Sequence, residues 1–538
     1  MLAQETIATP PVEWSLLWPV IILGVGGVLL VTLTSLVPAT RNRSIPAGIT
    51  AAIGIAAGFS LLPIYDRVTE AEGPVQLTIT GGAMIVDAFT VYVTLVICIV
   101  TVLVALLFDG YLRREGLEGP DWYVLLLISA AGGVIMAAAD DLILLFVGLE
   151  ILSIAVYVLA ALHLRRVSSQ EAGFKYFILG ALSSAIFLYG IALLYGATGT
   201  TSISAIAGTL GDANERALTA TDDSSMLLVG IALLLVGFGF KVSAAPFQMW
   251  TPDVYQGAPT PVVSFMGSAV KVAAFAAMAR VLILGLGEVS SDWRPVVAAM
   301  AFITLLVGSF LAIVQTDVKR MLAYSSINHA GFMLVAVHAA GTPDADVTRT
   351  GMRALAFYLL AYSVLVVGSF GVISLVSGRG DETTSVDSFR GLARRQPLLS
   401  GLFAVLLFAQ AGVPFTSGFM AKFRVIVAAV DGEAYVLAGL AMLAAVVAAF
   451  LYLRIVVAMF LDDADAAVVH ADDGAEDDGS ADVGVETLVL AGTDTDLPIT
   501  GLAVVAFAAA FTLVWGVFPQ LGEDVLARAA EVFVLLAP

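Results

Sequence analysis

Cysteine, histidine and charged side chains are scarce in this chain of 538 residues. The only cysteine is Cys98, which excludes a disulfide within the chain and leaves no cysteine cluster for an iron–sulfur or zinc centre. Charged residues make up 13% of the sequence, and no glycine-rich phosphate loop is present. The composition therefore argues against a soluble protein with its own redox centre or nucleotide site.

Long hydrophobic runs fill most of the chain. Hydrophobic residues account for 59% of it, and the mean hydropathy is +0.97. At about 20 residues per span, these runs predict an all-α polytopic membrane protein with about fourteen transmembrane helices. The predicted spans are 14–37, 45–63, 83–108, 121–138, 141–162, 171–196, 224–245, 262–286, 293–314, 321–341, 352–377, 397–430 (interrupted), 434–461 and 498–519. The first run is too long for a signal-peptide core, so we expect it to be retained.

Basic residues predict the orientation of these spans. Loops after odd-numbered spans hold Arg41, Arg43, Arg113, Arg114, Arg165, Arg166, Lys319, Arg320, Arg379, Arg390, Arg394 and Arg395. The other loops hold chiefly Arg67, Arg216, Arg294, Arg349 and Arg353. By the positive-inside rule, the first set faces the cytoplasm and both termini face outward.

Much of the net charge of −19 lies in one segment. Residues 462–497 include twelve acidic and no basic side chains. Such a segment is too charged to pack, so it predicts a hydrophilic loop between the last two spans, on the cytoplasmic side. A solvated loop of a salt-adapted protein and a docking site for a basic partner are both open interpretations.

Five ionisable side chains lie inside apolar runs: Glu150, Lys175, Lys241, Lys271 and Lys422. Each charge costs ~2.5–3.5 kcal/mol at a helix centre, so five unpaired charges would cost roughly 15 kcal/mol. They must therefore face one another or water. One carboxylate cannot neutralise four amines, so some of the lysines are expected to be neutral and able to carry protons.

Several of these positions have a second interpretation. Lys175 is close to Arg165 and Arg166, so its side chain could instead reach the membrane interface. His329 could join a polar file between Lys271 and Lys422, or bond a helix carbonyl. Arg454 stands alone in an apolar run and is interpreted as an interface residue rather than part of the path.

Two similar segments suggest internal repeats. GFGFK ends at Lys241 and GFMAK ends at Lys422, 181 residues later, and each adjoins a proline-broken segment. The same offset aligns Gly190 with Gly371. Proline inside a helix frees backbone carbonyls, and irregular backbone at membrane depth must be buried in protein or line a wet cavity. The pattern predicts an ion transporter built from repeats with broken helices.

At this point the sequence resembles a known family. The segment FKVSAAPFQMWTPDVYQGAPTPVVSFMGSAVKVAAFAAMAR resembles the signature of the N-type antiporter-like membrane subunit of respiratory complex I, the NADH-quinone oxidoreductase subunit N family with its archaeal relatives. GLEILSIAVYVLAAL and KYFILGALSSAIFLYG are similar to the two preceding helices of that family. The motif WTPDVYQGAPTPV distinguishes the N-type from its M- and L-type paralogues and from multisubunit cation/proton antiporters. The acidic insertion departs from the family pattern.

The resemblance covers essentially the whole chain and implies its organisation. Two inverted five-helix repeats, helices 4–8 and 9–13, would contain the broken helices 7 and 12. The expected segments are 1–120 (three N-terminal helices), 121–286 (first repeat), 287–461 (second repeat), 462–497 (acidic loop) and 498–538 (last helix and tail). The implied proton relay consists of Glu150 paired with Lys241, Lys175 as a modulator of that pair, Lys271 as central relay, His329 as connection, and Lys422 as terminal lysine.

The implied function is proton translocation from the cytoplasm outward, driven by redox chemistry in partner subunits of an NADH (or other donor):quinone oxidoreductase. No cofactor is expected in this chain, since quinone and redox centres belong to the partners. Expected partners are other antiporter-like and small membrane subunits, a quinone-reducing peripheral module and the bilayer of the cell membrane, with no nucleic acid. A stand-alone or multisubunit cation/proton antiporter, and a structural membrane subunit without pumping, are the alternatives.

Overall fold

The computed structural model describes residues 12–37, 44–69, 76–117, 119–215, 221–381, 383–461 and 497–535. Among these residues, twelve helices are long and apolar enough to cross a membrane. The two remaining predicted spans correspond to an unbroken helix at 318–340 and a broken helix at 397–431. The described part of the chain thus accounts for the fourteen predicted spans. The predicted acidic loop, apart from Leu497, lies outside the described residues.

A short sheet separates the second span from the third. The elements in this part of the chain are α1 (Trp14–Leu36), α2 (Ser44–Phe59), α3 (Leu62–Thr69), β1 (Leu77–Ile79), β2 (Met84–Val86) and α4 (Ala88–Glu115). The two strands pair antiparallel, with Thr78 opposite Ile85, and this hairpin was not predicted. The sheet displaces the start of the third span from residue 83 to 88, where Asp87 accepts a hydrogen bond from the Thr90 N–H and caps α4.

The next group contains the first broken helix. Its elements are α5 (Asp121–Ala138), α6 (Leu142–Ala161), α7 (Val167–Thr198), α8 (Ile203–Glu215), α9 (Thr221–Val242), α10 (Trp250–Gly257), α11 (Thr260–Gly267) and α12 (Ala269–Ala279), which a π-helical turn extends over Arg280–Gly285. The break between α9 and α10 was predicted. The break at Ser268 was not, since the sequence predicted one continuous span over 262–286.

The last group contains the second broken helix. Its elements are α13 (Ser290–Ile313), α14 (Val318–Ala340), α15 (Ala345–Val376), α16 (Leu392–Arg395), α17 (Pro397–Ala411), α18 (Ser417–Asp431), α19 (Tyr435–Phe460), α20 (Ile499–Val517) and α21 (Glu523–Leu535). Arg349 and Arg353 lie within α15, although the sequence assigned them to a loop. The predicted tail contains the helix α21, which packs on α4 and α15.

Helices α11 and α12 form the centre of the bundle, since every side chain on both is buried. Around them, basic residues meet at one end of the bundle. Arg114, Arg166 and Lys319, from three of the predicted cytoplasmic loops, all contact Asp381, and we call this the basic end. At the opposite end, Glu13 pairs with Arg67. This arrangement brings the basic loops together, as the alternating pattern predicted.

Candidate functional site

Lys241 lies in the last turn of α9, directly before the first break. Ser243 has a left-handed backbone, with φ of 64°, and helical structure resumes only at Trp250. The side chain of Lys241 is 3% exposed. A charged amine at this depth requires local partners because neither lipid nor the surrounding aliphatic side chains can solvate it.

A hydroxyl and two aromatic rings surround the amine of Lys241. Its Nζ donates a hydrogen bond of 2.7 Å to Oγ of Ser153 on α6. The ring centroids of Tyr157 and Tyr176 lie 5.8 and 5.7 Å from Nζ, within the range of cation–π attraction. The site therefore stabilises an ammonium group without a direct carboxylate contact.

Glu150 lies on the same helix as Ser153 but faces a different partner. Its carboxylate accepts a hydrogen bond from the hydroxyl of Ser184 on α7. The direct Glu150–Lys241 ion pair implied by the resemblance is absent from this structure, because a serine hydroxyl satisfies each charged group. A cavity of about 10 Å³ is lined by Ser184 and Lys241, which is close to the smallest volume that holds one water molecule.

Lys175 lies outside the buried set. Its side chain is 43% exposed, and its Nζ lies 2.7 Å from Glu171 and 3.4 Å from Asp253. It lines a cleft of about 650 Å³ at the basic end, together with Arg166 and Asp381, which we call the polar cleft. The expectation that Lys175 is buried is wrong, and the interface alternative describes its position.

Lys271 lies on α12, three residues after the break at Ser268. Its side chain is 2% exposed, and its Nζ donates to the backbone carbonyl of Ser326 at 2.8 Å and to the Ser326 hydroxyl at 2.6 Å. Ser326 belongs to α14, so the contact joins α12 to a helix of the predicted second repeat. A buried amine bound only to a carbonyl and a hydroxyl can exist either as ammonium or as neutral amine.

His329 lies one helical turn beyond Ser326 on α14 and bonds two tyrosine hydroxyls. Its Nδ1 is 2.7 Å from the hydroxyl of Tyr358, and its Nε2 is 3.2 Å from that of Tyr452. The alternative of a hydrogen bond to a helix carbonyl is therefore wrong for this structure. Both ring nitrogens face groups that can donate or accept, so the imidazole can pass a proton in either direction.

Polar contacts continue from Tyr452 to Lys422. The Tyr452 hydroxyl is 2.5 Å from Oγ of Ser325, which donates to Oε1 of Gln410 at 3.4 Å. Lys422 then donates to the backbone carbonyls of Gln410 at 2.7 Å and Ala411 at 3.0 Å. These carbonyls end α17 at the second break, where they lack partners within the helix. The negative end of the helix dipole favours a cation there.

Two steps of this file lack a hydrogen bond. At Gln410, the side-chain Oε1 accepts from Ser325, whereas Lys422 contacts only the backbone carbonyl. The other step lies between Ser326 and His329. Ser326 and His329 are neighbours on α14 but share no hydrogen bond. The buried hydroxyl of Tyr362 approaches Ser326 without a well-formed hydrogen bond to any described residue, and its ring lies 4.6 Å from that of His329. Rotation of this hydroxyl or a local water would close the step.

The two breaks do not follow the offset of 181 residues. Lys241 precedes the break that contains Pro246, whereas Lys422 follows the break that contains Pro414. The interval that aligns the lysines therefore misaligns the breaks. The constant spacing predicted that the two lysines occupy equivalent positions in the repeats, but one precedes its break and the other follows its break. The inversion of the repeats stays a prediction.

Other charged residues serve the ends of helices. Arg454 donates to the carbonyls of Ile313 at 2.9 Å and Gln315 at 2.8 Å, so it caps α13, in agreement with its assignment outside the path. Arg280 and Asp87 form a fully buried bidentate pair at 3.0 and 3.1 Å that sequence reasoning missed. An arginine at the end of an apolar run was the only available signal.

The family model described as "NADH:quinone oxidoreductase/Mrp antiporter, TM" matches residues 139–448. NADH-quinone oxidoreductase subunit N 3 of Streptomyces griseus is 39% identical over 98% of this chain and 96% of that protein. Subunit N of Chloroflexus aggregans is 37% identical over 86% and 90%. The family-model match includes Lys271, His329 and Lys422 of the file, and Tyr452 lies just beyond it.

Solved structures agree with these matches. A chain of respiratory complex I from Thermus thermophilus with bound aureothin is 32% identical, with a TM-score of 0.72 over 95% of this chain and 99% of that one. A chain of the Mrp complex from Dietzia sp. DQ12-45-1b, at 22% identity and a TM-score of 0.76, shares the fold. Fold and site define a polytopic membrane protein of the antiporter-like class. Within that class, the chain belongs to the NADH-quinone oxidoreductase subunit N family, which confirms the resemblance.

Proposed function

We propose that this chain is a proton-translocating membrane-arm subunit of a complex I-like NADH:quinone oxidoreductase. The observation that carries the proposal is the buried polar file from Lys271 through His329 to Lys422, at the centre of an apolar bundle. Buried amines and imidazoles in a membrane are costly, so a file of them favours ion or proton transport over structural support. The relatives named subunit N agree with this function.

Proton movement in the proposed mechanism is controlled by charge at Lys241. When Lys241 bonds Ser153 and Glu150 bonds Ser184, as here, the positive charge lies away from its carboxylate. Closing the Glu150–Lys241 gap would neutralise that charge locally and change the potential at Lys271. Closure would favour protonation of Lys271, and separation of the pair would then push that proton through Ser326 and His329 towards Lys422, since charges interact strongly in a low-dielectric interior.

Energy must come from outside the chain. Moving one charge against a potential of about 100 mV costs ~2.3 kcal/mol. In the proposal, quinone reduction in partner subunits supplies this energy, and neighbouring antiporter-like subunits transmit it by contact. Quinone and redox centres would reside in those partners.

We further propose that the basic end faces the cytoplasm. Arg114, Arg166 and Lys319 meet there, and the positive-inside rule places such residues on the cytoplasmic side. Glu13 and the helix α21 would then lie outside, and the acidic segment 462–497 in the cytoplasm. Protons would then be taken up from the cytoplasmic side, through the polar cleft beside Lys175.

Deletion of this chain tests the proposal. Quinone reduction and proton release are measured in membranes from the deletion strain and from the parent, at matched amounts of the remaining complex. We expect fewer protons released per electron in the deletion strain, and we call the difference the subunit share. An unchanged proton-to-electron ratio would leave a structural role, whereas proton exchange by the isolated chain in liposomes would favour an independent antiporter.

A further inference from the structure

Asp381 is a buried carboxylate at the basic end that the proposed path does not use. It lies between α15 and α16 with a left-handed backbone, φ of 51°, and its side chain is fully buried. Arg114 reaches it at 2.8 Å, Arg166 at 3.2 Å and Lys319 at 3.4 Å. These three cations come from the end of α4, the start of α7 and the start of α14. One carboxylate therefore joins three separate helix ends.

The same carboxylate holds the junction between α10 and α11. Oδ2 of Asp381 accepts hydrogen bonds from the backbone N–H of Thr260 at 3.2 Å and from its hydroxyl at 2.8 Å. Lys319 donates to the carbonyl of Ala258 at 2.7 Å. Residues 258–260 are thus fixed on both sides, where α10 turns into α11, the helix that precedes the break at Ser268 and the helix α12 with Lys271. An acid at the start of α11 also complements its exposed N–H groups.

A second acid ties the short helix α10 to its surroundings. Asp253 lies 2.7 Å from Arg320 on α14 and 3.4 Å from Lys175 on α7. The segment 250–260 is therefore connected by charge to helices of both predicted repeats. A movement at the first break, next to Lys241, cannot reach α11 without passing this clamped segment.

Asp381 acts as a fixed charge rather than as a proton carrier. Burial alone would raise the pKa of its carboxyl group, but the positive charges of Lys319, Arg114 and Arg166 outweigh that effect and hold the pKa below its usual range. This direction favours the ionised carboxylate. Removing its charge would leave three cations without their common partner, which is costly in a buried site.

We propose that Asp381 is a positioning residue of the proton path: its carboxylate fixes the α10–α11 junction, so that rearrangement at the Lys241 break and the alignment of Lys271 with Ser326 change together. The proposal rests on the function proposed above. Lys319 and Ser326 are seven residues apart on one face of α14, about 10.5 Å along the helix axis. One helix, α14, therefore carries both Lys319, which contacts the junction, and Ser326, which contacts Lys271.

The test compares Asp381→Asn with the control Asp387→Asn in the intact complex. Asp387 lies in the same connection, but its side chain is 68% exposed. A displacement of about 1 Å at a reacting group can slow a step ~100-fold, so we expect Asp381→Asn to lower the subunit share about tenfold or more. Quinone reduction and the amount of assembled complex are measured on the same membranes, and Asp387→Asn should match the parent.

Two results would overturn the proposal. One is an unchanged subunit share in assembled Asp381→Asn complex. The other is a loss of assembled complex with a normal proton-to-electron ratio in what remains, which would make Asp381 a purely structural residue. If Asp381→Asn prevents assembly altogether, the double variant Asp381→Asn/Lys319→Met is tested instead, because it removes one uncompensated cation. We expect this double variant to assemble with a reduced subunit share. A normal subunit share in the double variant would also contradict the proposal.

Failure of the proposed function gives a different result. In that case Lys271→Gln, which leaves the Asp381 contacts in place, would also preserve the proton-to-electron ratio. Loss of pumping in Lys271→Gln with normal pumping in Asp381→Asn would reject only the positioning role.

Discussion

Substitution of Gly412 by alanine should disturb Lys422 without altering a charge. Gly412 follows α17 at the second break and has φ of 92° and ψ of 40°. A Cβ built on it would lie 3.2 Å from Cδ of Lys422 and 3.6 Å from its Nζ. The lysine side chain must therefore shift by a few tenths of an ångström, which disturbs its hydrogen bonds to the carbonyls of Gln410 and Ala411.

The expected magnitude follows from two costs. Alanine in this backbone conformation costs ~1–2 kcal/mol, which a large assembled complex can tolerate. A hydrogen bond from a charged group contributes ~1.5–3 kcal/mol, and every 1.4 kcal/mol changes an equilibrium about tenfold. If Lys422 loses one of its two carbonyl partners, we expect the subunit share of proton translocation to fall about tenfold or more.

The assay uses purified complex in proteoliposomes, with quinone reduction and proton release recorded together. Gly401→Ala is the matched control, since Gly401 lies on the same helix α17 and an added Cβ there meets nothing within 4 Å. We expect Gly401→Ala to behave as the parent. Equal proton-to-electron ratios in Gly412→Ala and Gly401→Ala would refute the role assigned to the Lys422 contacts.

Three further predictions follow from the charged residues. Lys241→Arg should keep the charge but impair pumping, because arginine stays protonated; a parental pumping rate in this variant would restrict Lys241 to a fixed charge. Glu150→Ala should remove most of the subunit share. Lys175→Ala should lower the subunit share far less than Lys241→Ala, since Lys175 is partly exposed; equal losses would contradict its position outside the file. In a Cys98→Ala background, a single cysteine at position 475 should react only with cytoplasmic reagents, and labelling from outside alone would reverse the proposed topology.

The broken helices and their lysines could be predicted from sequence because both signals are local. A proline within an apolar run favours a break, although Pro19 lies inside the continuous helix α1, and a lysine in such a run is conspicuous against aliphatic neighbours. Lys241, Lys271 and Lys422 are all buried as expected. Lys175 was misplaced because its partners Glu171 and Asp253 draw it into the polar cleft, and apolar sequence around a residue does not show which way its side chain leaves the helix.

The partners of these lysines could not be predicted because they depend on contacts far apart in sequence. Ser326 meets Lys271 only because the folded bundle brings this lysine of α12 within reach of α14. Asp381 lies in a polar connection where an acid normally indicates solvent exposure, and Lys319 was counted as an ordinary basic loop residue. Both are buried because three helix ends converge on them. Their burial follows from assembly of the bundle, which local composition does not reveal.

The most direct test of the proton path is the proton-to-electron ratio of complex that carries Lys271→Gln. Glutamine retains a donor for the carbonyl and hydroxyl of Ser326 but cannot take up a proton in the working pH range. We predict assembled complex that reduces quinone and releases fewer protons per electron, with a deficit equal to the subunit share. The parental ratio in Lys271→Gln, with the complex intact, would contradict the conclusion that protons pass through this buried file.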